Sequence, residues 1–195
     1  MTPSVKIYID NISIEQVAET KFLGVIITEN LTWDNHINTV CNKVNKGIEI
    51  ICKIRHLIHP SIIINLYFTL VHTYFQYCNI IWASNQFLSL SKLSKMQKRA
   101  MRAITNSKCI LFLFLKISLR VLTLCNINKY QTGCFMLKVN NNLFPSNSIG
   151  VFLKNMNIYD HNTRNKLDFH VIPHSLTVRE YSITIYGVKL WNNLP

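Results

Sequence analysis

TWDNHINTVCNKVNKGIEIICKIRHLIHP, running from Thr32 to Pro60, is the stretch whose reading decides the fold. Its apolar side chains Ile37, Cys41, Val44, Ile48 and Ile51 recur at steps of four, three, four and three. That spacing returns to one face of an α-helix at every turn, so the segment is expected to be amphipathic with a buried stripe. Thr32 stands where an N-cap hydroxyl would serve the first turn. The helix should end near His56–His59, because Pro60 disfavours helical geometry in the residue before it.

Working outward, Pro60 suits the first turn of a second helix running towards Phe75 or Tyr77. That segment is apolar nearly all round, which predicts the most buried element of the chain. A third helix is expected over about Ser89–Thr105, with Leu90, Leu93, Gln97, Ala100, Met101 and Ile104 inward. A fourth is expected over about 126–140, with Ile127, Tyr130, Cys134 and Leu137 inward. On the N-terminal side, Val5, Ile7 and Ile9 alternate with polar neighbours, as do Ile12 and Ile14. The intervening Asp10-Asn11 step suits a tight hairpin. Phe22 to Ile27 reads as a third apolar run, in which Gly24 removes a side chain where another backbone could approach. After Phe144-Pro145 the periodicity weakens, and Ile183–Trp191 fits either a strand or a short helix. The fold class is therefore mainly α with a small N-terminal β-hairpin, an α+β chain.

Charge is distributed unevenly. The net charge is +12, yet Ile50 to Tyr159 contains no Asp or Glu and thirteen Lys or Arg. A block of that sign attracts polyanions, either nucleic acid or an anionic membrane surface. Within it Lys92, Lys95, Arg99 and Arg102 fall at helical spacing on one face of the third helix, with Lys98 beside them. Such a stripe tracks phosphates, or is a solvated face. The lack of any acid to interleave favours phosphate.

Catalytic patterns are missing. The nine acids (Asp10, Glu15, Glu19, Glu29, Asp34, Glu49, Asp160, Asp168 and Glu180) include no adjoining pair to converge on a divalent metal. The histidines make no H-E-x-x-H motif and read as capping, core or phosphate-facing residues. Six cysteines form no C-x-x-C pair and read as free thiols. His56 to Ser91 carries no charged side chain, and Ile62–Trp82 is long enough to span a bilayer. Asn65, Thr69, His72, Gln76 and Asn79 interrupt it and favour a core helix. Met1-Thr2-Pro3-Ser4 opens no signal pattern, so a cytoplasmic or nuclear location is expected.

Five short motifs then carry a resemblance. Lys21-Phe22-Leu23-Gly24-Val25 comes first, with Leu31-Thr32-Trp33 and His36-Ile37 after it. Tyr77-Cys78-Asn79-Ile80-Ile81-Trp82 and Gln97-Lys98-Arg99-Ala100 with Arg102-Ala103-Ile104 follow. His161-Asn162-Thr163-Arg164 and Gly187-Val188-Lys189-Leu190-Trp191-Asn192-Asn193-Leu194-Pro195 complete the series. Together they resemble the region after the catalytic palm in non-LTR retrotransposon (LINE) reverse transcriptases of the jockey-like kind. The resemblance implies a primer-grip-like strand at Phe22, Leu23 and Gly24, and a thumb helix carrying Lys92, Lys95, Lys98, Arg99 and Arg102. It divides the chain into a palm edge (1–30), a thumb-like helical bundle (31–106) and a less regular C-terminal extension (107–195). It implies RNA, DNA or an RNA–DNA hybrid as partner through phosphate contacts, and the upstream palm of the full-length polymerase as a second. No membrane is expected. The family's catalytic aspartates match nothing in this chain, so no catalytic or metal-binding residue is assigned. No cofactor is expected here, with Mg²⁺ needed only by the full-length enzyme. Cys109–Leu115, almost purely apolar, departs from the family pattern, and the chain stops at Leu194-Pro195 where the family usually continues. The resulting expectation is a truncated RNA-directed DNA polymerase without its catalytic palm. Two rivals are a stand-alone basic nucleic-acid-binding module and a small single-span membrane protein.

Overall fold

The computed structural model describes residues 7–83, 87–105, 121–145, 150–161 and 164–194. It is mainly helical, with two small antiparallel hairpins at its N-terminal end. The first joins β1 (Ile7–Ile9) to β2 (Ile12–Ile14) through Asp10 and Asn11, both with positive φ. Asp and Asn tolerate that geometry through their short polar side chains, which is why this pair makes the turn.

Phe22 to Ile27 is not the single strand its apolar run suggests. β3 (Glu19–Phe22) and β4 (Val25–Thr28) pair across a two-residue turn at Leu23 and Gly24, with φ of 45° and 82°. Turn geometry overrides the apolar pattern here, because Gly24 takes the left-handed conformation without a Cβ penalty.

Helix α1 (Asp34–Ile54) buries Ile37, Val40, Val44, Gly47, Ile48 and Ile51 along the expected stripe. Trp33, not Thr32, occupies the N-cap position. Thr32 is instead held by the Thr28 hydroxyl, which accepts from its backbone N–H at 3.0 Å and donates to its carbonyl at 2.9 Å. Asp34 supplies the negative charge that favours a helix start.

The charge-free stretch after Pro60 folds as α2 (Pro60–Tyr67), a single π-helical turn (Phe68–His72), and α3 (Thr73–Gln76). His59 caps it, its ring accepting from the Ser61 N–H. The run is one-sided and is not the most buried element of the fold. Ile63, Tyr67, Val71 and Phe75 are buried, while Ile62 is 49% exposed and Asn65, Thr69 and Thr73 face outward. The threonine hydroxyls satisfy themselves on carbonyls one turn back. α1 crosses this run so closely that a Cβ on Gly47 would lie 2.7 Å from the Leu70 carbonyl oxygen. At Tyr77 and Cys78 the chain leaves helical geometry, with ψ of 119° at the former and φ of 50° at the latter, before α4 (Asn79–Trp82). Ile62–Trp82 is thus two helical pieces around a corner. Among the described residues no helix is long and apolar enough to cross a membrane.

α5 (Phe87–Thr105) packs along α1 and buries Leu93, Gln97, Ala100 and Met101. α6 (Leu124–Asn140) begins earlier than its pattern suggests, capped by the Thr123 hydroxyl. Its inner face is also rotated. Leu124, Ile127, Asn128, Thr132, Met136 and Val139 are buried, whereas Tyr130 is 63% and Leu137 50% exposed. Its first half joins the main core, formed by α1, α2 to α5 and Val25. Its second half joins a smaller core with Phe169, Val188, Phe135, Phe144, Phe152 and Trp191. The C-terminal apolar segment resolves as helix: α7 (Thr177–Glu180), a π-helical turn (Ile183–Gly187) and α8 (Val188–Asn192). The apolar Cys109–Leu115 run lies outside the described residues.

Candidate nucleic-acid interface

α5 exposes the four cations singled out by spacing, Lys92, Lys95, Arg99 and Arg102, and Lys98 beside them, while its opposite face is buried. The run from Lys92 to Arg102 makes a rigid row about 15 Å long. No ion pair within 4 Å involves Lys92, Lys95, Arg99 or Arg102 among the described residues. One edge of the row leans on α1. Arg99 donates to the Asn45 side-chain oxygen at 3.1 Å, and Lys92 lies near Cys41, whose thiol burial raises and the lysine lowers. Arg55, which spacing did not single out, donates to the Ala103 carbonyl at 3.3 Å. A cation there satisfies one of the carbonyls left open at the end of α5 and suits its dipole.

Phe22 and Leu23 sit at the tip of the second hairpin, 63% and 71% exposed. The Tyr77 hydroxyl donates to the Leu23 carbonyl, and the Tyr77 ring lies 3.7 Å from where a Gly24 Cβ would stand. The rest of the Tyr77–Trp82 motif fixes that tyrosine: the Trp82 indole N–H donates to the Tyr77 carbonyl at 2.9 Å, and the Asn79 amide donates to the Phe75 carbonyl at 2.7 Å. Two motifs more than fifty residues apart therefore meet in one contact. That contact ties the tip to the corner between α3 and α4.

Gln97 has a similar joining role from within the basic motif. Its amide donates to the Leu122 carbonyl at 2.8 Å and its oxygen accepts from the Leu124 N–H at 3.2 Å. Asn192, from the C-terminal motif, both accepts from the Phe169 N–H at 3.2 Å and donates to its carbonyl at 2.8 Å. Of the His161–Arg164 motif, residues 162 and 163 lie outside the described residues.

Two histidines, His36 and His72, are buried, and His59 is a helix cap. His36 is buried edge-on to Trp82 and accepts from the Ile26 N–H at 3.4 Å, so it ties β4 to α1. Burial first, and then Lys43, lowers its pKa; burial alone lowers that of His72. His170 and His174 stand four apart, but on non-helical chain, so they share no helix face. Among the described residues no three His, Cys, Asp or Glu converge as metal ligands. No family model, curated protein or solved structure matches the chain.

Proposed function

We propose that the chain grips the phosphate backbone of a template–primer duplex, as the primer-grip edge and thumb of a non-LTR retrotransposon reverse transcriptase. The observation that carries this reading is the row of cations on α5, exposed on one face of a helix whose other face is locked in the core. Several cations on one rigid rod neutralise several phosphates at once, and releasing their counterions drives binding. Contacts of that kind position a duplex without reading its sequence. The exposed Phe22 and Leu23 tip, pinned by Tyr77, suits a contact with a primer end. The motif resemblance supplies the family, and the meeting of Leu23-Gly24 with Tyr77 gives those motifs a shared physical role.

The test is binding of a short RNA–DNA hybrid by the purified chain and by a variant with Lys92, Lys95, Arg99 and Arg102 all changed to Gln. The variant is expected to keep its helical circular dichroism and lose most of its affinity. Unchanged affinity would reduce the row to a solvated face. The chain is also expected to incorporate no nucleotide with any divalent metal, since no adjoining carboxylates are available. Measurable primer extension would contradict that.

A further inference from the structure

Beside the basic row, α5 and α6 leave a groove of about 520 Å³ between them, closed at one end by the segment around Tyr181 and Tyr186. Its α5 wall includes Ser91 and Ser94, each one turn ahead of a cation of the row, Lys95 and Lys98 respectively. Residues four apart share a helix face, so the groove opens onto the row. The α6 wall carries Cys125 and, one turn on, the exposed Lys129. Leu90 and Leu124 line it with apolar surface, and no Asp or Glu is among its described lining residues.

We propose that this groove takes an unpaired nucleobase from a single strand that continues off the duplex held by the row. Three properties select that occupant. Two half-buried tyrosines line it, and an aromatic ring is a surface on which any base can stack. Lys129 on the far wall, and Lys95 and Lys98 one turn beyond the serines of the near one, place cations on both sides for the flanking phosphates. The groove is continuous with the row, so a strand leaving the duplex meets it without a detour. The inference rests on the duplex-grip reading for its direction, and it predicts a preference that the row alone does not: a hybrid with a single-stranded extension over a blunt one.

The test uses the full chain and two RNA–DNA hybrids of equal duplex length, one blunt and one with a short extension containing 2-aminopurine. The extended hybrid is expected to bind about tenfold more tightly, as one stacked base implies, with quenching of the 2-aminopurine emission. Tyr181→Ala should abolish the preference and the quench and leave blunt-hybrid affinity unchanged; Tyr181→Phe, which keeps the ring, should preserve both. Lys129→Gln should weaken only the extended probe. Equal affinity for the two hybrids, or a quench that survives Tyr181→Ala, would overturn the proposal. If neither hybrid is held by its duplex, yet a free 2-aminopurine strand is quenched in a Tyr181-dependent way, the row fails and the groove stands. Capture of an apolar peptide with no quench from any oligonucleotide would assign the groove to a protein partner instead.

Discussion

Helices α5 and α6 share one core but divide polar and apolar side chains differently between their two faces. α5 turns a nearly all-apolar ladder inward, broken by Gln97, and cations outward. α6 buries Asn128 among its apolar contacts and leaves Tyr130 and Leu137 in solvent. The difference follows from what each helix joins. α5 lies against the regular surface of α1, where side-chain volume is enough to specify packing. α6 lies against the corner at Tyr77 and Cys78, whose irregular backbone leaves carbonyls to satisfy. The Asn128 amide donates to the Asn79 carbonyl at 3.3 Å, and Gln131 to the Gln76 carbonyl at 3.0 Å. An irregular backbone draws polar side chains towards its carbonyls, whereas against the regular α1 surface α5 keeps its cations outside and buries Gln97 as the exception.

The contrast can be broken most forcefully in the ladder. Leu93→Ala should lower unfolding stability by about 2–5 kcal/mol, whereas Leu137→Ala on the exposed face of α6 should change it by less than about 0.5 kcal/mol. Urea titrations of the two variants would check this, and equal losses would mean that the α6 face has been misassigned.

Next in size are the buried polar ties. Gln97→Ala leaves the Leu124 N–H and the Leu122 carbonyl without their partner and should cost about 1–3 kcal/mol. Asn128→Ala loses one longer bond and should cost about 1 kcal/mol.

A smaller effect is expected from pH. His36 and His72 have lowered pKa values when folded, so the unfolded chain binds more protons as pH falls through the ordinary histidine value of 6.5. Stability conferred by the neutral rings is therefore complete above 6.5 and declines as pH falls from there towards the folded values. Protonation of His36 on the nitrogen that accepts from Ile26 also removes that hydrogen bond between β4 and α1. Urea midpoints measured across that range should fall, and His36→Gln should flatten the decline. A decline of equal slope in that variant would remove His36 from the account.

Smallest for stability are the outward cations: Lys95→Gln or Arg102→Gln should shift the unfolding free energy by less than about 0.5 kcal/mol. A larger loss would mean that the row is structural.

These same elements explain how far the chain was legible before its structure. The α1 stripe and the inner face of α5 follow from spacing, because each packs a single side against regular neighbours. The Asp10-Asn11 hairpin follows from turn chemistry. The α6 face could not be read from apolar spacing alone, since its buried side includes Asn128, which bonds a corner carbonyl 49 residues earlier. The same holds for the second hairpin, where Leu23 takes a positive φ that its residue type does not advertise. The π-helical turns leave no trace in a pattern of apolar residues. For the site, four cations on one face with Lys98 beside them were visible as spacing, while the Asn45 and Arg55 contacts needed α1 beside α5. The tyrosine-lined groove brings together residues 90–94, 124–129 and 181–186, and no local motif announces that meeting.

The central claim is that the α5 cations bind phosphate, and the salt dependence of hybrid binding tests it most directly. The logarithm of affinity should fall linearly with the logarithm of salt concentration, and each single change, Lys92→Gln, Lys95→Gln, Arg99→Gln or Arg102→Gln, should flatten that line by about one unit for any hybrid sequence. A slope that stays the same in all four variants, or a loss that depends on the sequence of the hybrid, would contradict it.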